Sequence, residues 1–227
     1  MIIITGSSRG IGKYLFENFW ANGMTVYGTY NKTLPDSDKE KYFMKVDISS
    51  YSEVKNWIAS IRSSIEHSTL INCAGINYTS VAHKADTKKW SDVINVNLIG
   101  TFNVIREILP IMREEGYGRI INFSSVVAQT FVAGTSAYAA SKAGLWGLIR
   151  SIAIENARKG ITINNLNLGY YNIGMINEVP TEIQTSLKEM IPAGDFGDPD
   201  NIFKTIKLLI DNDYINGTSI DLNGGLY

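Results

Sequence analysis

Short apolar runs alternate with longer amphipathic stretches along the whole chain, and this alternation limits the folds that the chain can adopt. The runs typical of strands lie at 2–5, 25–29, 42–46, 69–72, 119–124, 161–167 and 218–222. The helix-like stretches lie near 11–22, 51–65, 87–114, 137–159 and 199–211. Several runs, such as Ile2-Ile3-Ile4, are apolar without alternation, which is typical of strands buried on both faces. The pattern predicts an α/β fold in which helices flank a parallel sheet.

The composition is that of an ordinary globular domain. The chain has 227 residues, 44% of them hydrophobic and 19% charged, and it shows no internal repeat or linker, so we expect one domain spanning 1–227. The net charge of −1 gives no basic surface for nucleic acid or an anionic membrane. No apolar stretch approaches the roughly 18 residues of a membrane span, and no basic segment precedes the first apolar run as in a signal peptide.

The cysteine and histidine residues bear on whether the chain can form a disulfide or a metal site. Cys73 is the only cysteine, which excludes an internal disulfide, favours a reducing compartment and leads us to expect a cytoplasmic protein. His67 and His83 have no acid or cysteine spaced as a partner ligand, so no metal site is expected.

The segment 5–12 reads Thr-Gly-Ser-Ser-Arg-Gly-Ile-Gly and joins the first strand-like run to the first helix. Glycines at such a junction allow a tight turn and let backbone N–H groups approach a phosphate at the positive end of the helix. The spacing G-x-x-x-G-x-G differs from the G-x-G-x-x-G of many dinucleotide binders, and a plain glycine turn is the alternative. The position between strand and helix favours cofactor binding. The residues predicted to contact the cofactor here are Gly6, Ser8, Arg9, Gly10, Ile11 and Gly12.

Tyr138 and Lys142 are four residues apart in a helix-like stretch, so the phenol and the ammonium group share one helix face. A nearby positive charge typically lowers a tyrosine pKa by about 1–3 units, toward the range in which the phenol exchanges a proton with a substrate oxygen. The Ser125 hydroxyl, aimed at the same oxygen, would complete a minimal site for interconverting an alcohol and a carbonyl. The ordinary alternatives are that Ser125 ends a strand and that Lys142 is a solvated helix lysine.

Further motifs lie at the ends of the strand-like runs and in the fourth helix. They comprise Asp47 and Ile48 after the third run, Asn72, Ala74 and Gly75 after the fourth, Asn97 in the helix, and the segment 217–225 at the last run. Together with the glycine loop and Ser125, Tyr138 and Lys142, they resemble the short-chain dehydrogenase/reductase family from the first residue to the last. The resemblance implies a single Rossmann-type, doubly wound domain with about seven parallel strands, a nicotinamide cofactor, and hydride transfer to or from a carbonyl carbon.

The same resemblance implies a role for each catalytic residue. Tyr138 would be the general acid in reduction and the general base in oxidation, and Lys142 would lower the tyrosine pKa and hold the cofactor ribose. Ser125 would hydrogen-bond the substrate oxygen, and Asn97 would support a water relay to Lys142. Asp47 would lie on the adenine side of the cofactor. The other positions expected to contact the cofactor are Ile48, Asn72, Ala74, Gly75, Gly169 and Ile173.

The end of the second strand bears on the choice between NAD(H) and NADP(H). An NAD site usually places an acid there to hold the ribose 2′-hydroxyl. Tyr30 stands at that position in the resemblance, and no acid follows until Asp36. Arg9 and Lys32 are expected to meet a 2′-phosphate, with Asn31 adding a hydrogen bond. This favours NADP(H), with NAD(H) as the alternative if Arg9 and Lys32 are ordinary surface charges.

The chain departs from the family after the sixth strand. Leu168 stands where the family often has a proline before Gly169, and Ile173 replaces a threonine that holds the nicotinamide carboxamide. Losing that hydroxyl removes one hydrogen bond, typically worth about 0.5–1.5 kcal/mol. The segment 171–194 is expected to form a mobile lid over the substrate.

The substrate is the least constrained feature. The segment 126–137 is mostly apolar, and the lid carries one lysine against three glutamates, Glu178, Glu182 and Glu189, which disfavours a multiply charged phosphate ester. Glu114 and Glu115, at the end of the fourth helix, count against docking of an acidic carrier. We therefore expect a small or mid-sized ketone or secondary alcohol first. The alternatives are a 3-oxoacyl-carrier-protein reductase and a catalytically silent NADP-binding regulatory protein.

The resemblance also bears on assembly. Relatives commonly pair through helices that match 87–114 and 137–159, so a homodimer or homotetramer is expected.

Overall fold

Seven parallel strands form one sheet in the computed structural model, which describes residues 1–35, 38–130 and 132–227. The strands are β1 (Ile2–Thr5), β2 (Val26–Tyr30), β3 (Phe43–Lys45), β4 (Thr69–Asn72), β5 (Gly118–Ser125), β6 (Ile161–Leu168) and β7 (Ser219–Leu222). Their order is β3-β2-β1-β4-β5-β6-β7, and every neighbouring pair is parallel. The predicted α/β fold with about seven parallel strands is confirmed.

Helices cover both faces of the sheet. They are α1 (Gly10–Ala21), α2 (Tyr51–Ile61), α3 (Thr87–Ile94), α4 (Thr101–Glu115), α5 (Ser136–Asn156), α6 (Thr181–Met190) and α7 (Pro199–Asp211). Apolar side chains of α1 and α7 pack on one face with Ile2 and Ile4, and those of α2, α4 and α5 pack on the other with Ile3. Successive residues of β1 thus enter opposite cores, which explains why its sequence is apolar without alternation.

Two features differ from the expectation. The predicted helix 87–114 is divided by a π-helical turn, Asn95–Gly100, between α3 and α4. A π turn inserts one residue into the helical repeat, and apolar spacing alone does not reveal such an insertion over so short a length. The predicted lid contains a helix, α6, that was not predicted, although Ile183, Leu187 and Met190 recur at helical spacing along it.

The strand order reverses at β1, and this reversal positions the site. The chain runs from β1 outward to β2 and β3, and then returns to place β4 on the other side of β1. Loops that leave β1 and β4 in opposite directions open a crevice at the carboxyl ends of the strands, where ligands of doubly wound sheets bind. In the described ranges, none of the helices is long and apolar enough to cross a membrane.

Candidate active site

Ser125, Tyr138 and Lys142 meet at the carboxyl end of β5, and we call these three residues the catalytic corner. Ser125 is the last residue of β5, and Tyr138 and Lys142 lie in the first two turns of α5. The Lys142 Nζ atom lies 5.6 Å from the centroid of the Tyr138 ring. The helical spacing seen in the sequence therefore does bring the ammonium group beside the phenol.

The electrostatics of the corner differ from the expectation. Burial raises the pKa of Tyr138 to about 12, and only a side-chain hydrogen bond with Ser125 acts in the opposite direction. Nearby Cys73 and Tyr170 raise the Tyr138 pKa further. The predicted lowering of this pKa by Lys142 is wrong, because burial of the phenol outweighs the interactions that favour its charged form.

Lys142 instead uses its ammonium group on the backbone. Its Nζ donates to the Phe123 carbonyl oxygen at 2.6 Å, and the side chain is buried. Burial lowers the pKa of Lys142 to about 8, and only Cys73 acts to raise it. An ammonium group has three N–H donors, so two remain beyond the bond to Phe123.

Asn97 lies on the π-helical turn and holds the segment that leaves β4. Its side chain accepts from the Ile76 N–H and donates to the Ile76 carbonyl, each at 2.9 Å, and it also donates to Ser141 Oγ at 3.1 Å. A Cβ on Gly75 would lie 3.3 Å from Asn97 Oδ1 and 3.7 Å from Lys142 Nζ, so Gly75 separates these two groups. Asn97 thus lies beside the corner, and the water relay stays a prediction.

The glycine loop 5–12, here called the glycine cradle, wraps the amino end of α1. Gly6 has φ +67, and a Cβ there would lie 2.7 Å from the Ala74 Cα. A Cβ on Gly12 would lie 2.2 Å from the Gly6 carbonyl oxygen. Neither position has room for a side chain. Both residues must therefore be glycine for the loop to lie this close to the segment after β4 and to the first turn of α1.

The cradle has the chemistry of an anion site. Arg9 is the N-cap of α1 and provides no side-chain cap, and no acid lies in the first turn, so the N–H groups of Gly10 and Ile11 keep their capacity to donate, whereas the Gly12 N–H interacts with the Cys73 sulfur. These groups at the positive end of a helix fit a pyrophosphate. Gly10, Ile11 and the half-buried Ser8 belong to the same short segment, and their contact with a cofactor stays a prediction.

The end of β2 is tied directly to the cradle. The Ser7 N–H donates to the Thr29 carbonyl at 2.8 Å, and the Gly6 N–H donates to Thr29 Oγ1 at 3.1 Å. The next three residues therefore emerge next to the cradle, with Tyr30 half-buried and both following residues exposed, namely Asn31 and Lys32. Arg9 is exposed at the start of α1. Asp36 lies outside the described residues.

Asp47 and Ile48 follow β3 and are engaged locally. Asp47 Oδ1 accepts from both the N–H and the hydroxyl of Ser49, at 2.9 and 2.6 Å. Ile48 is buried against Gly100, and a Cβ added to Gly100 would lie 2.8 Å from the Ile48 Cγ1 atom. One carboxylate oxygen of Asp47 is thus committed to a turn, and its contact with an adenine stays a prediction.

The segment 72–75 joins β4 to β1 through Thr5, whose Oγ1 accepts the N–H groups of Cys73 at 3.1 Å and Ala74 at 3.2 Å. Asn72 is buried, and its Nδ2 donates sideways to Asn122 Oδ1 at 2.8 Å within the sheet. Burial raises the pKa of the Cys73 thiol to about 12, so this cysteine is an unreactive small residue. The structure thus gives Asn72 a place in the sheet, and its contact with the cofactor stays a prediction.

The connection after β6 carries the two departures from the family pattern. Gly169 donates its N–H to the Leu222 carbonyl at 2.9 Å, and a Cβ there would lie 2.7 Å from the Asn223 Cα, so only glycine fits. Ile173 packs against the apolar core on the α1 and α7 face. At this position, an apolar side chain that packs on the core replaces the threonine hydroxyl of the family pattern.

The segment 171–194, which is predicted to form a lid, packs on an apolar cluster that was not predicted from the sequence. Five buried residues from four separate segments form it, namely Val126, Ile176, Ile191, Phe196 and Leu226. Tyr170 packs against this cluster, contacts the Phe196 ring, and interacts electrostatically with Tyr138. Its position immediately after Gly169 was a signal for a pocket residue. Phe131, part of the predicted apolar wall, lies outside the described residues.

No group of three or more metal-ligating side chains occurs within 1–35, 38–130 and 132–227.

Comparisons with known proteins agree with the geometry. The sequence profile of the short-chain dehydrogenase family matches residues 1–184. An acetoacetyl-CoA reductase from Rhizobium meliloti is 34% identical over 237 residues, which cover 99% of this chain and 97% of that protein. A 3-oxoacyl-(acyl-carrier-protein) reductase from Staphylococcus epidermidis is 31% identical over 238 residues, with 99% and 98% covered.

A solved structure shows the same likeness. The crystal structure of a provisionally assigned gluconate dehydrogenase from Agrobacterium tumefaciens has a TM-score of 0.89 at 27% identity. The similarity covers 100% of this chain and 95% of that chain.

Proposed function

The chain belongs to the short-chain dehydrogenase family, and we propose that it is an NADPH-dependent reductase that converts the 3-oxo group of an acyl thioester to a secondary alcohol. Membership of this family makes it an oxidoreductase that interconverts a carbonyl and an alcohol with a nicotinamide cofactor. The observation that carries the finer proposal is the meeting of Ser125, Tyr138 and Lys142 at the carboxyl ends of the parallel strands.

The chain's own residues fit the cofactor. The glycine cradle offers the pyrophosphate uncapped N–H groups at the start of α1, and we infer that Asp47 and Ile48 would face the adenine. Lys142 has two N–H donors left for ribose hydroxyls, and its pKa of about 8 keeps it charged at neutral pH. When bound, the nicotinamide ring supplies the hydride, and the protein supplies orientation and the proton.

Tyr138 is the proton donor of the proposed reduction. Because burial raises its pKa to about 12, the phenol is protonated at neutral pH and carries the proton that an alkoxide oxygen needs. Ser125 donates a second hydrogen bond to the same substrate oxygen and stabilises the negative charge that develops there. The protonated phenol is the form of Tyr138 that the proposed reduction requires.

The positive charges near the end of β2 favour NADP(H) over NAD(H). Asn31 and Lys32 are exposed beside the cradle, Arg9 is exposed at the start of α1, and no acid occurs between Val26 and Pro35. Guanidinium and ammonium groups are the side chains that recognise a 2′-phosphate.

The substrate class is proposed from the relatives and the lid. Relatives at 31–34% identity, aligned over nearly their whole length, are named reductases of 3-oxoacyl thioesters. The lid segment packs on an apolar cluster, and we infer that the wall of the pocket beside it is apolar enough for a short acyl chain. Glu114 and Glu115, which counted against carrier docking, lie at the amino end of β5, opposite to Ser125, and Glu114 pairs with Arg62 at 2.7 Å. A simple ketone is the second candidate, supported by the apolar character of the same wall.

Assembly and location complete the proposal. Ile99 on the π-helical turn and Phe102 at the start of α4 are each 45% exposed, and Ile154 on α5 is 84% exposed, which supports pairing of copies through these helices as a homodimer or homotetramer. The single cysteine, Cys73, supports a reducing compartment such as the cytoplasm.

Steady-state oxidation of NADPH with three probes tests the proposal: acetoacetyl-CoA, ethyl acetoacetate and cyclohexanone. We expect the highest kcat/KM with acetoacetyl-CoA, and a loss of about 10²- to 10⁴-fold in Tyr138→Phe with NADPH binding intact. Equal turnover of the two smaller ketones would contradict the thioester while leaving the reduction intact. If wild type and Tyr138→Phe bound NADPH but were equally inert with all probes, the chain would be a silent cofactor-binding protein.

A further inference from the structure

A network of side-chain hydrogen bonds lies next to the catalytic corner and converges on one carboxylate, that of Asp221 in β7. Asp221 Oδ1 accepts from Gln129 Nε2 at 3.0 Å and from Asn167 Nδ2 at 2.7 Å. Asn167 is its register partner in β6, and Asp221 is half-buried near the carboxyl end of the last strand. The predicted catalytic set does not include Asp221.

The donors and acceptors of the network have only one consistent arrangement. The Trp146 indole can only donate, and its Nε1 donates to Asn167 Oδ1 at 3.1 Å. A carboxylate can only accept, so Asn167 and Gln129 must each turn their amide nitrogen toward Asp221. One carboxylate therefore fixes the orientation of two amide side chains.

The first branch of the network leads to Ser125. Gln129 follows the 3-10 turn Val126–Ala128, and its N–H donates to the Val126 carbonyl at 2.8 Å. Within that turn the Val127 N–H donates to Ser125 Oγ at 3.2 Å. Anchoring Gln129 to β7 fixes the turn, and the turn fixes the direction in which the Ser125 hydroxyl points.

The second branch leads to Lys142. Trp146 Nε1 also lies 3.2 Å from Ser124 Oγ, and the Ser124 hydroxyl donates to the Lys142 carbonyl at 3.0 Å. Ser124 is buried, so water competes little for the groups that form these hydrogen bonds. The branch joins Asn167 in β6 to the backbone of α5 at the position of the catalytic lysine.

We propose that Asp221 is a positioning residue of the reaction, holding Ser125 through Gln129 and holding α5 at Lys142 through Asn167, Trp146 and Ser124. The inference rests on the proposed function for its kinetic consequence, whereas the geometry that it describes needs neither substrate nor cofactor. A substitution far from the reacting atoms can lower turnover by about 100-fold when it displaces a catalytic group by about 1 Å.

Four variants and one matched control test the proposal. Asp221→Leu removes the shared acceptor, and Asp221→Asn keeps an oxygen that can accept both hydrogen bonds without the charge. Gln129→Leu cuts the first branch, and Trp146→Phe cuts the second while keeping an aromatic ring. Asp213→Leu is the control, since it removes an exposed aspartate after α7.

The readouts are kcat and KM for NADPH-dependent reduction of acetoacetyl-CoA, and hydrogen exchange of the amides of 126–130 in the protein without ligands. We expect Asp221→Leu to lower kcat by about 10- to 100-fold with the KM for NADPH within about twofold. We expect Asp221→Asn to restore kcat to within about threefold of wild type. Exchange at 126–130 should rise in Asp221→Leu and Gln129→Leu, and stay unchanged in Trp146→Phe and Asp213→Leu.

The proposal is overturned if Asp221→Leu and Asp213→Leu have the same kcat, or if exchange at 126–130 is the same in Asp221→Leu as in wild type. If Asp221→Leu does not fold, the single-branch variants decide, and wild-type kcat in both Gln129→Leu and Trp146→Phe overturns it. Absence of turnover in wild type would end the proposed function, and the exchange data alone would then decide whether Asp221 positions the segment after Ser125.

Discussion

The glycine cradle and the catalytic corner lie at the same edge of the sheet but are held by different means. In the cradle, backbone approaches backbone, and a Cβ on Gly12 would lie 2.2 Å from the Gly6 carbonyl oxygen. In the corner, side chains bond across separate elements, as when Lys142 Nζ of α5 donates to the backbone carbonyl of Phe123 in β5 at 2.6 Å. A change in the cradle should therefore act on cofactor binding, and a change in the corner should act on turnover.

Substitution Ser125→Ala should give the largest effect and act on turnover alone. The variant loses a donor to the substrate oxygen and the hydrogen bond that opposes the high pKa of Tyr138. Removal of one such donor typically lowers kcat by about 10²- to 10³-fold. Steady-state kinetics with acetoacetyl-CoA and a fluorescence titration with NADPH would measure both quantities. A weakening of NADPH binding as large as the loss of kcat would break the division between corner and cradle.

Substitution Gly12→Ala should have the opposite signature. The added methyl group cannot fit against the Gly6 carbonyl, so the loop must open, and we expect the Kd for NADPH to rise by more than about 100-fold. The matched control is Gly147→Ala on α5, where a Cβ would meet nothing within 4 Å. Calorimetric titration would give both Kd values. Wild-type affinity in Gly12→Ala would show that the cradle does not need its close backbone contact.

Lys142 belongs to the corner, and the shift of its pKa also makes the stability of the fold depend on pH. Burial lowers the pKa of Lys142 to about 8 from an ordinary value of 10.5. Between these two pH values the unfolded chain keeps the proton that the folded chain has lost, so the stability of the fold rises with pH across this window. Below pH 8 both states are protonated, and the cost of burying the charge is present in full.

Substitution Lys142→Met should abolish this pH dependence. We expect the unfolding free energy of wild type to rise relative to the variant by about 3 kcal/mol between pH 8 and 10.5. Urea denaturation at a series of pH values would measure the difference. The exposed Lys32→Met variant serves as the control, and parallel curves for wild type and Lys142→Met would disprove the buried charge.

The smallest effect is expected at the outer rim of the cradle. The double substitution of Arg9→Ala and Lys32→Ala should raise the Kd for NADPH by about tenfold, because it removes the two cations that we propose for binding the 2′-phosphate. The Kd for NADH should not change. Binding titrations with both cofactors would test this, with Lys207→Ala on α7 as the control. Equal or tighter binding of NADH to wild type, unaffected by Arg9→Ala, would overturn the preference for NADP(H).

Local patterns account for what could be predicted. The run Ile2-Ile3-Ile4 gave the strand that is buried on both faces, and the residues after it gave the cradle, because strand burial and tight turns depend on neighbours in sequence. Tyr138 and Lys142 were paired by the helical repeat, which needs only four residues. The π turn at Asn95–Gly100 was not predicted because one inserted residue leaves no apolar period, whereas α6 was missed although its apolar residues do recur at helical spacing.

The sequence by itself therefore determined the α/β architecture, the cradle, and the identity of the residues in the corner. Only the tertiary structure decided the partners of those residues: Lys142 bonds to Phe123, and Asp221 accepts from Gln129, which is 92 residues away in the chain. It also decided that burial keeps Tyr138 protonated. The physical reason is that hydrogen-bond partners and desolvation depend on which distant segments pack together, and spacing along the chain carries no such information.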